Sequence, residues 1–361
     1  MRIHFVGEPD DQVSITSQHA RALAAAGVDV TFDSTDSPRR SMYRQCDVIH
    51  LVSYETRDFS LLRRIRWARA GGVVVLRYWT GLDVLWAACH HPTRRFAQAL
   101  VDLGVVQLAP NKTMADRLAR IGISASVQRP ASPSVSTATQ PRPLPNEFTL
   151  ACYLPSRNRE LYGGSLIDGL IRRLPGVRFL ILGDTATDFS SCRNVESLGF
   201  VNDVHRVLHR CTAVLQVRLF HGASRLVFEA MSLGRHVISS TPMPHAQHAV
   251  TEAQVVRAVR ALRSEPRFNL EGREHIGMEY DYSDLIASLR RRMEQALQPG
   301  RVALAVRGRM HAASLTLRMP ALLSRRRFEL PRPHELDTDD EATRLLVSQA
   351  CDSPAPVIAT G

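Results

Sequence analysis

The sequence lacks the cysteine and glycine patterns that mark the commonest metal and cofactor sites. Its cysteines include no CxxC pair and no spacing that is typical of metal ligands. The first predicted loop lacks a GxGxxG fingerprint, which argues against a dinucleotide site there. We therefore expect no metal ion and no organic cofactor. The six cysteines are Cys46, Cys89, Cys152, Cys192, Cys211 and Cys351.

The sequence also lacks a long apolar run. No run approaches the ~20 residues that are needed to span a bilayer. Residues 1–11 (MRIHFVGEPDD) predict a first β-strand rather than a signal peptide. These patterns favour a cytoplasmic protein, and they leave open its attachment to the inner face of the membrane.

Charge is the most unusual feature of the composition. The chain of 361 residues has 46 lysines and arginines, almost all of them arginine, against 35 aspartates and glutamates. A strongly basic balance indicates anionic partners, such as nucleotide phosphates, anionic lipid or nucleic acid. We see no motif of interleaved aromatic and basic residues, so a nucleic-acid partner is not expected. The length suits two domains.

The first part of the chain predicts a parallel α/β domain. Residues 2–7 read as a strand, 14–27 as a helix and 28–32 as the next strand, which is one βαβ unit. A later predicted strand, residues 72–76, runs into a loop that contains Asp83. Ligands of open α/β sheets lie beyond the carboxyl ends of strands. Asp83 is therefore a candidate site residue, and the alternative is that it caps the next helix.

Composition changes in the middle of the chain. Residues 129–146 are rich in Pro, Ser and Thr and predict a linker between domains 1–128 and 147–298. The second domain begins with a predicted strand and a loop that carries Arg157, Arg159 and Tyr162. Arginines at a strand end suit phosphate oxygens because the guanidinium binds them bidentately. The alternative is that both arginines are solvated loop residues.

Residues 218–240 (RLFHGASRLVFEAMSLGRHVISS) predict a turn, a helix, a glycine stop and a buried strand. Ser224 is a plausible N-cap, and the free N–H groups at the helix start could bind an anion. Glu229 lies on a helix that is otherwise lined by apolar residues. Its carboxylate could accept two hydroxyls of a nucleotide's sugar. The alternative is a capping or surface-paired glutamate.

This stretch resembles the C-terminal domain of GT-B glycosyltransferases, in particular the retaining glycosyltransferase family 4. That family has two glutamates separated by seven residues, followed by Ala-Met, a glycine and a strand. Residues 229–234 (EAMSLG) match the second half, and His221 stands where the first glutamate would fall. Residues 81–84 (GLDV) also fit a family pattern. The resemblance covers roughly residues 1–295 and is strongest in the second domain.

The resemblance implies an α/β protein of two Rossmann-like domains that face each other across a cleft, which is the GT-B architecture. It implies sugar transfer from a UDP- or GDP-linked donor to a polysaccharide or lipid-linked acceptor, with retention of configuration and without a metal. Tyr162 replaces the family's phosphate-binding lysine, so Arg159 would supply a second cation beside Arg157. The implied catalytic residues are Asp83, Arg157 and His221, and the implied donor-binding residues are Arg157, Arg159, Tyr162, Gly222, Ala223, Ser224, Arg225 and Glu229.

The resemblance ends before residue 299, where a basic segment and tail (299–361) begin. Residues 301–328 hold seven arginines and no carboxylate, interleaved with apolar residues. Such a segment suits an anionic membrane surface. The alternative is a helix that packs on the body of the protein with its arginines in water.

Two other functions stay open from the sequence. One is a nucleotide-sugar epimerase on the same scaffold, which would need no acceptor. The other is a non-catalytic, basic surface-binding protein, in which the departures at His221 and Tyr162 mark lost activity.

Overall fold

The computed structural model describes residues 1–6, 15–33, 45–52, 59–132, 134–135, 137, 140–155, 159–183, 189, 192–218 and 224–318. These residues form two compact units. The first comprises residues 1–132 together with 280–318, and the second lies between residues 134 and 279. The chain passes from the first unit to the second after residue 133 and returns to the first at residue 280.

The first unit is built on a parallel sheet of six strands in the order β2-β1-β3-β4-β5-β6. Every residue of β3 and β4 is buried, as expected for parallel strands that are covered on both faces. The strands are β1 (Arg2–Val6), β2 (Asp29–Asp33), β3 (Val48–Val52), β4 (Val74–Tyr78), β5 (Val106–Ala109) and β6 (Ser126–Val127). The helices are α1 (Ile15–Ala25), α2 (Phe59–Ala70), α3 (Leu82–Cys89), α4 (His91–Asp102) and α5 (Lys112–Arg120).

Two later helices complete this unit, α11 (Tyr282–Leu297) and α12 (Gly300–Arg318). Leu289 and Met293 of α11 are fully buried against the side chains of β1 and β4. Leu315 of α12 joins the other core, which α2 and α4 form with the sheet. The approach of α12 to α2 requires Gly308, since a Cβ there would lie 1.9 Å from the carbonyl oxygen of Arg69.

The second unit is a second parallel sheet of six strands, in the order β12-β11-β10-β7-β8-β9. The fold class predicted from the sequence, α/β with two Rossmann-like domains, is confirmed by these two sheets. The strands are β7 (Thr149–Tyr153), β8 (Arg178–Leu182), β9 (Val195–Gly199), β10 (Ala213–Gln216), β11 (His236–Ser239) and β12 (Gln247–His248). The helices are α6 (Gly164–Arg173), α7 (Val204–Leu208), α8 (Arg225–Ser232), α9 (Glu252–Ser264) and α10 (Leu270–Glu279).

Within the described ranges, no helix combines the length and the apolar character that a bilayer span requires.

Candidate functional site

The candidate site lies in the second unit, at the carboxyl edge of its central strands. Strands β11, β10 and β7 are neighbours and run parallel, so their carboxyl ends meet at one edge of the sheet. Ligands of such sheets bind at this edge. The side chains described next lie on β10, on the helix that follows it and on the turn after β7.

Glu229 is buried in α8, with 2% of the residue exposed. Its Oε1 lies 3.1 Å from Nε of Arg225 and accepts a hydrogen bond from the hydroxyl of Ser134. Its Oε2 is buried and has no hydrogen-bond partner among the described residues. A buried carboxylate oxygen without a donor is costly, so Oε2 is a candidate acceptor for a ligand hydroxyl. The carboxylate is therefore not the surface-paired group of the alternative interpretation.

Ser224 occupies the N-cap position of α8, as the sequence predicts, but its side chain makes no capping hydrogen bond. Its hydroxyl donates instead to Oε1 of Gln216, at 3.2 Å. Gln216 is the last residue of β10 and is 2% exposed, and its Nε2 donor has no partner among the described residues. Like Oε2 of Glu229, Nε2 of Gln216 is thus a buried polar atom at this edge without a hydrogen-bond partner among the described residues.

Arg159 lies in a 3₁₀ turn (Arg159–Tyr162) and is engaged by a carboxylate. Its two terminal nitrogens lie 2.9 and 2.7 Å from the two oxygens of Asp168, which is a bidentate pair. The carboxylate of Asp168 therefore neutralises much of the positive charge that Arg159 would otherwise offer to a diphosphate. The role of Arg159 as the second phosphate-binding cation stays a prediction.

Arg218, which the sequence analysis missed, lies two residues beyond the end of β10. Its guanidinium carbon lies 4.2 Å from the ring centroid of Tyr162 and 5.5 Å from that of Tyr153. Its backbone is fixed by Ser240, whose hydroxyl accepts from the N–H and donates to the carbonyl oxygen of Arg218. The only signal in the sequence is an arginine that directly follows an apolar strand.

The Arg218 guanidinium is a cation without an anion in the part of the chain that the structure describes. Its Nε is buried without a hydrogen-bond partner there, and the ionisable side chains that act on its charge are two tyrosines, Tyr162 and Tyr153, rather than a carboxylate. Burial lowers the pKa of Arg218, yet a guanidinium keeps its charge at neutral pH. The cost of burying an unpaired charge is relieved when an anion binds beside it.

Gly163 brings Tyr162 and Arg218 together. It adopts φ +77°, and a Cβ there would lie 2.2 Å from the carbonyl oxygen of Val217. Only glycine allows this approach without strain. The turn after β7 is therefore held against the end of β10. As a result Tyr162, which stands where the resembling family has lysine, faces Arg218.

Four of the predicted site residues lie outside the residues that the structure describes. They are Arg157, His221, Gly222 and Ala223.

Asp83 belongs to the first unit and is buried at 1% exposure. Its Oδ1 accepts backbone hydrogen bonds from Thr80, Gly81 and Val84, at 2.9, 2.9 and 3.0 Å. Burial raises the pKa of Asp83, and Arg77, at 4.0 Å from Oδ2, opposes the rise together with the backbone N–H groups. These contacts fix the first turn of α3. Of the two roles that the sequence leaves open for Asp83, they favour the structural one.

The first unit also buries two histidines in an aromatic cluster. The ring of His19 meets those of Tyr78 and His50 edge-on, and Phe5 stacks on His50 at 4.9 Å. Burial lowers the pKa of His19 to about 4, and burial together with the neighbouring His19 lowers the pKa of His50 well below its usual value. Both histidines are therefore neutral at pH 7.

No group of three or more His, Cys, Asp or Glu side chains in the described part of the chain is arranged to hold a metal ion.

No protein-family model and no curated protein sequence matches the chain. Solved structures do match, at low sequence identity. One is HepE from Anabaena, in complex with UDP and glucose, at 13% identity and a TM-score of 0.61, which covers 81% of this chain and 99% of that one. Another is sucrose-phosphate synthase from Thermosynechococcus elongatus, at 12% identity and a TM-score of 0.63, covering 83% and 100%.

A third similar structure is AviGT4, a glycosyltransferase involved in avilamycin A biosynthesis, at 14% identity and a TM-score of 0.54. The match covers 83% of this chain and 99% of AviGT4. All three matches extend over both sheets of this chain, since each covers four fifths or more of it. With its two parallel six-stranded sheets, the chain has the GT-B fold of glycosyltransferases.

Proposed function

We propose that the protein is a glycosyltransferase of the hexosyltransferase type, which moves a sugar from a UDP- or GDP-linked donor to a polysaccharide or lipid-linked acceptor. The observation that carries this proposal is the buried, unpartnered Oε2 of Glu229 at the carboxyl edge of the second sheet. The similar structures support it, since HepE is in complex with UDP and glucose, and the pneumococcal transferase GtfA with UDP and GlcNAc.

Glu229 holds the ribose of the donor in this proposal. Arg225 and Ser134 fix one carboxylate oxygen, so the other has a defined direction and can accept hydroxyl hydrogens. A hydrogen bond to a charged acceptor contributes about 1.5–3 kcal/mol, so a fixed carboxylate can anchor the nucleoside.

Arg218 holds the diphosphate together with Arg157 and the backbone N–H groups of residues 222–225, which the sequence analysis assigns to donor binding. The stacking of Arg218 on Tyr162 supports this assignment, because it puts a cation beside the position where the family has lysine. Tyr162 can itself donate one hydrogen bond to a phosphate oxygen. Arg159 assists these groups to the extent that Asp168 leaves its charge available.

Negative charge grows on the diphosphate as the bond to the sugar breaks. Guanidinium groups and backbone N–H groups stabilise such a charge without reorganisation when they are positioned before the reaction begins. These groups can do so without a metal ion, and retention of configuration is proposed from the resemblance to family 4. His221 would contact the donor sugar in place of the missing glutamate. We assign Asp83 to positioning the loop before α3.

The proposal is tested by measuring thermal stabilisation with UDP-, GDP- and dTDP-sugars, followed by turnover with saccharide acceptors. A nucleotide-sugar that binds only the folded state raises the melting temperature. Arg157→Ala should nearly abolish turnover and leave the melting temperature without ligand unchanged. Conversion of the donor without a glycosylated product would indicate an epimerase instead. No stabilisation by any nucleotide would indicate a non-catalytic protein and would overturn the proposal.

A further inference from the structure

Helix α12 packs on the first unit with one face only. Leu304 and Leu315 are buried, and Gly308 lies against the backbone of α2. These residues are spaced four and seven apart, so they share one side of the helix. The fold therefore accounts for this half of the helix.

The opposite side of α12 carries large apolar side chains in water. Val302, Val306, Met310 and Leu317 are 81%, 52%, 69% and 84% exposed. They are also spaced four and seven apart, so they form a stripe of about 22 Å along the helix. We call these four residues the α12 stripe. Nothing in the described part of the chain covers it.

The surroundings of the α12 stripe are strongly basic. Helices α2 and α12 together contain eight arginines and no aspartate or glutamate. Arg63, Arg64 and Arg66 of α2 line one groove with Arg309 of α12, which borders the stripe. Arg63, Arg64 and Arg309 form no ion pair with any residue that the structure describes, and Arg66 donates only to the hydroxyl of Thr316. The groove is thus a concentrated, unneutralised positive surface.

We propose that the α12 stripe and the arginine groove bind the surface of an anionic lipid bilayer. The stripe enters the boundary between headgroups and acyl chains, and the arginines contact lipid phosphates. An amphipathic helix with cations beside its apolar face binds membranes in this way. The surface belongs to the first unit and the candidate nucleotide site to the second. If the proposed function holds, membrane binding would bring the enzyme to a lipid-linked acceptor.

Two other partners fit the surface less well. A nucleic acid would use the arginines through its phosphates, but it would leave four large apolar side chains in water. A second copy of the chain could cover the α12 stripe, but it would bring arginines of one copy close to those of the other. Of these three partners, the anionic membrane is the one that satisfies the apolar stripe and the cations together.

The test is co-sedimentation of the full-length protein with vesicles of equal parts phosphatidylglycerol and phosphatidylcholine. Met310→Glu is compared with Met278→Glu, because both methionines are 69% exposed and Met278 lies on α10 of the second unit. We expect Met310→Glu to lower the partition coefficient by about tenfold or more, the loss of one apolar side chain from the lipid. Met278→Glu should change it less than about twofold.

The arginines are tested through lipid charge and salt. Binding should be at least about tenfold weaker to pure phosphatidylcholine vesicles, and on anionic vesicles it should weaken as salt is raised. Arg63→Gln combined with Arg309→Gln should remove most of that difference between lipids. Each variant should have the melting temperature of the wild type and the same rise in melting temperature with nucleotide, which shows that the variant is folded. If Met310→Glu does not fold, Val306→Glu takes its place.

Several outcomes would overturn the proposal. Equal binding to anionic and to uncharged vesicles would show that the arginines do not contribute. Equal loss of vesicle binding in Met310→Glu and Met278→Glu would show that the α12 stripe does not contribute. A dimer that Met310→Glu converts to a monomer, with vesicle binding unchanged, would assign the stripe to a second copy. Binding to duplex nucleic acid but not to vesicles would assign the arginines to that partner.

Discussion

Replacing Glu229 by glutamine tests the candidate nucleotide site with the least disturbance to the fold. The two side chains have nearly the same shape, and the site is 2% exposed. The amide oxygen can take the place of Oε1 and keep the contacts with Arg225 and Ser134. The amide NH₂ then occupies the position of Oε2, so an acceptor for ribose hydroxyls becomes a donor.

The size of the effect follows from this geometry. Because Oε1 is already occupied, only Oε2 is free to bind the ribose. A hydrogen bond to a charged group contributes about 1.5–3 kcal/mol, and its loss weakens nucleotide binding about 10- to 150-fold. Stability without ligand should change by less than about 1 kcal/mol, because the Arg225 partner is partly exposed and its pairing is screened.

The assay is isothermal titration calorimetry with UDP, GDP and the corresponding nucleosides. Glu229→Gln should lower the affinity for nucleoside and nucleoside diphosphate by the same factor, since the ribose is common to both. The matched control is Glu196→Gln on β9, whose carboxylate pairs with Arg178 and Arg210 at 2.6 and 2.5 Å. That control should bind nucleotide like the wild type. Wild-type affinity in Glu229→Gln for both UDP and GDP would refute the reasoning.

Three further predictions follow from other described residues. Arg218→Met should weaken UDP binding about tenfold or more and leave uridine binding unchanged in calorimetry, because it removes a charge-assisted contact to phosphate only; equal loss for both ligands would contradict the assignment. The pKa of His19 is about 4 in the folded protein and about 6.5 in the unfolded chain. The contribution of His19 to the free energy of unfolding is therefore complete above pH 6.5, and about 3 kcal/mol of it is lost as the pH falls toward 4, which urea unfolding measures. If His19→Gln showed the same dependence of unfolding free energy on pH as the wild type, this would contradict the prediction. Gly163→Ala should lower the melting temperature of the second unit more than Gly234→Ala, because both positions have positive φ but only the first would place a Cβ 2.2 Å from the Val217 oxygen; equal effects would show that the contact does not matter.

The sheets could be predicted from the sequence because parallel strands are continuous apolar runs. Residues 28–32 and 72–76 predicted the strands found at β2 (Asp29–Asp33) and β4 (Val74–Tyr78), and the helix predicted for residues 14–27 is found at α1 (Ile15–Ala25). Helix α10 (Leu270–Glu279) was not predicted, since its apolar residues follow no helical period and it contains two glycines. The packing of its neighbours, rather than its own pattern, supports that helix.

The candidate site was predicted less completely because its key contacts are distant in sequence. Glu229 was a candidate from its place on an apolar helix, but the hydrogen bond that fixes its Oε1 comes from Ser134, 95 residues away. The pairing of Arg159 with Asp168 depends on the 3₁₀ turn that brings them together. Arg218 was missed because its contact with Tyr162 requires the close approach of β10 to the turn after β7.

The most direct test of the central claim is a crystal structure of the protein with bound UDP or GDP. We expect a ribose hydroxyl about 2.6–3.2 Å from Oε2 of Glu229, and phosphate oxygens at about the same distance from the guanidinium nitrogens of Arg218. A nucleotide that binds without contacting either residue, or crystals that take up no nucleotide at concentrations well above those of cells, would contradict it.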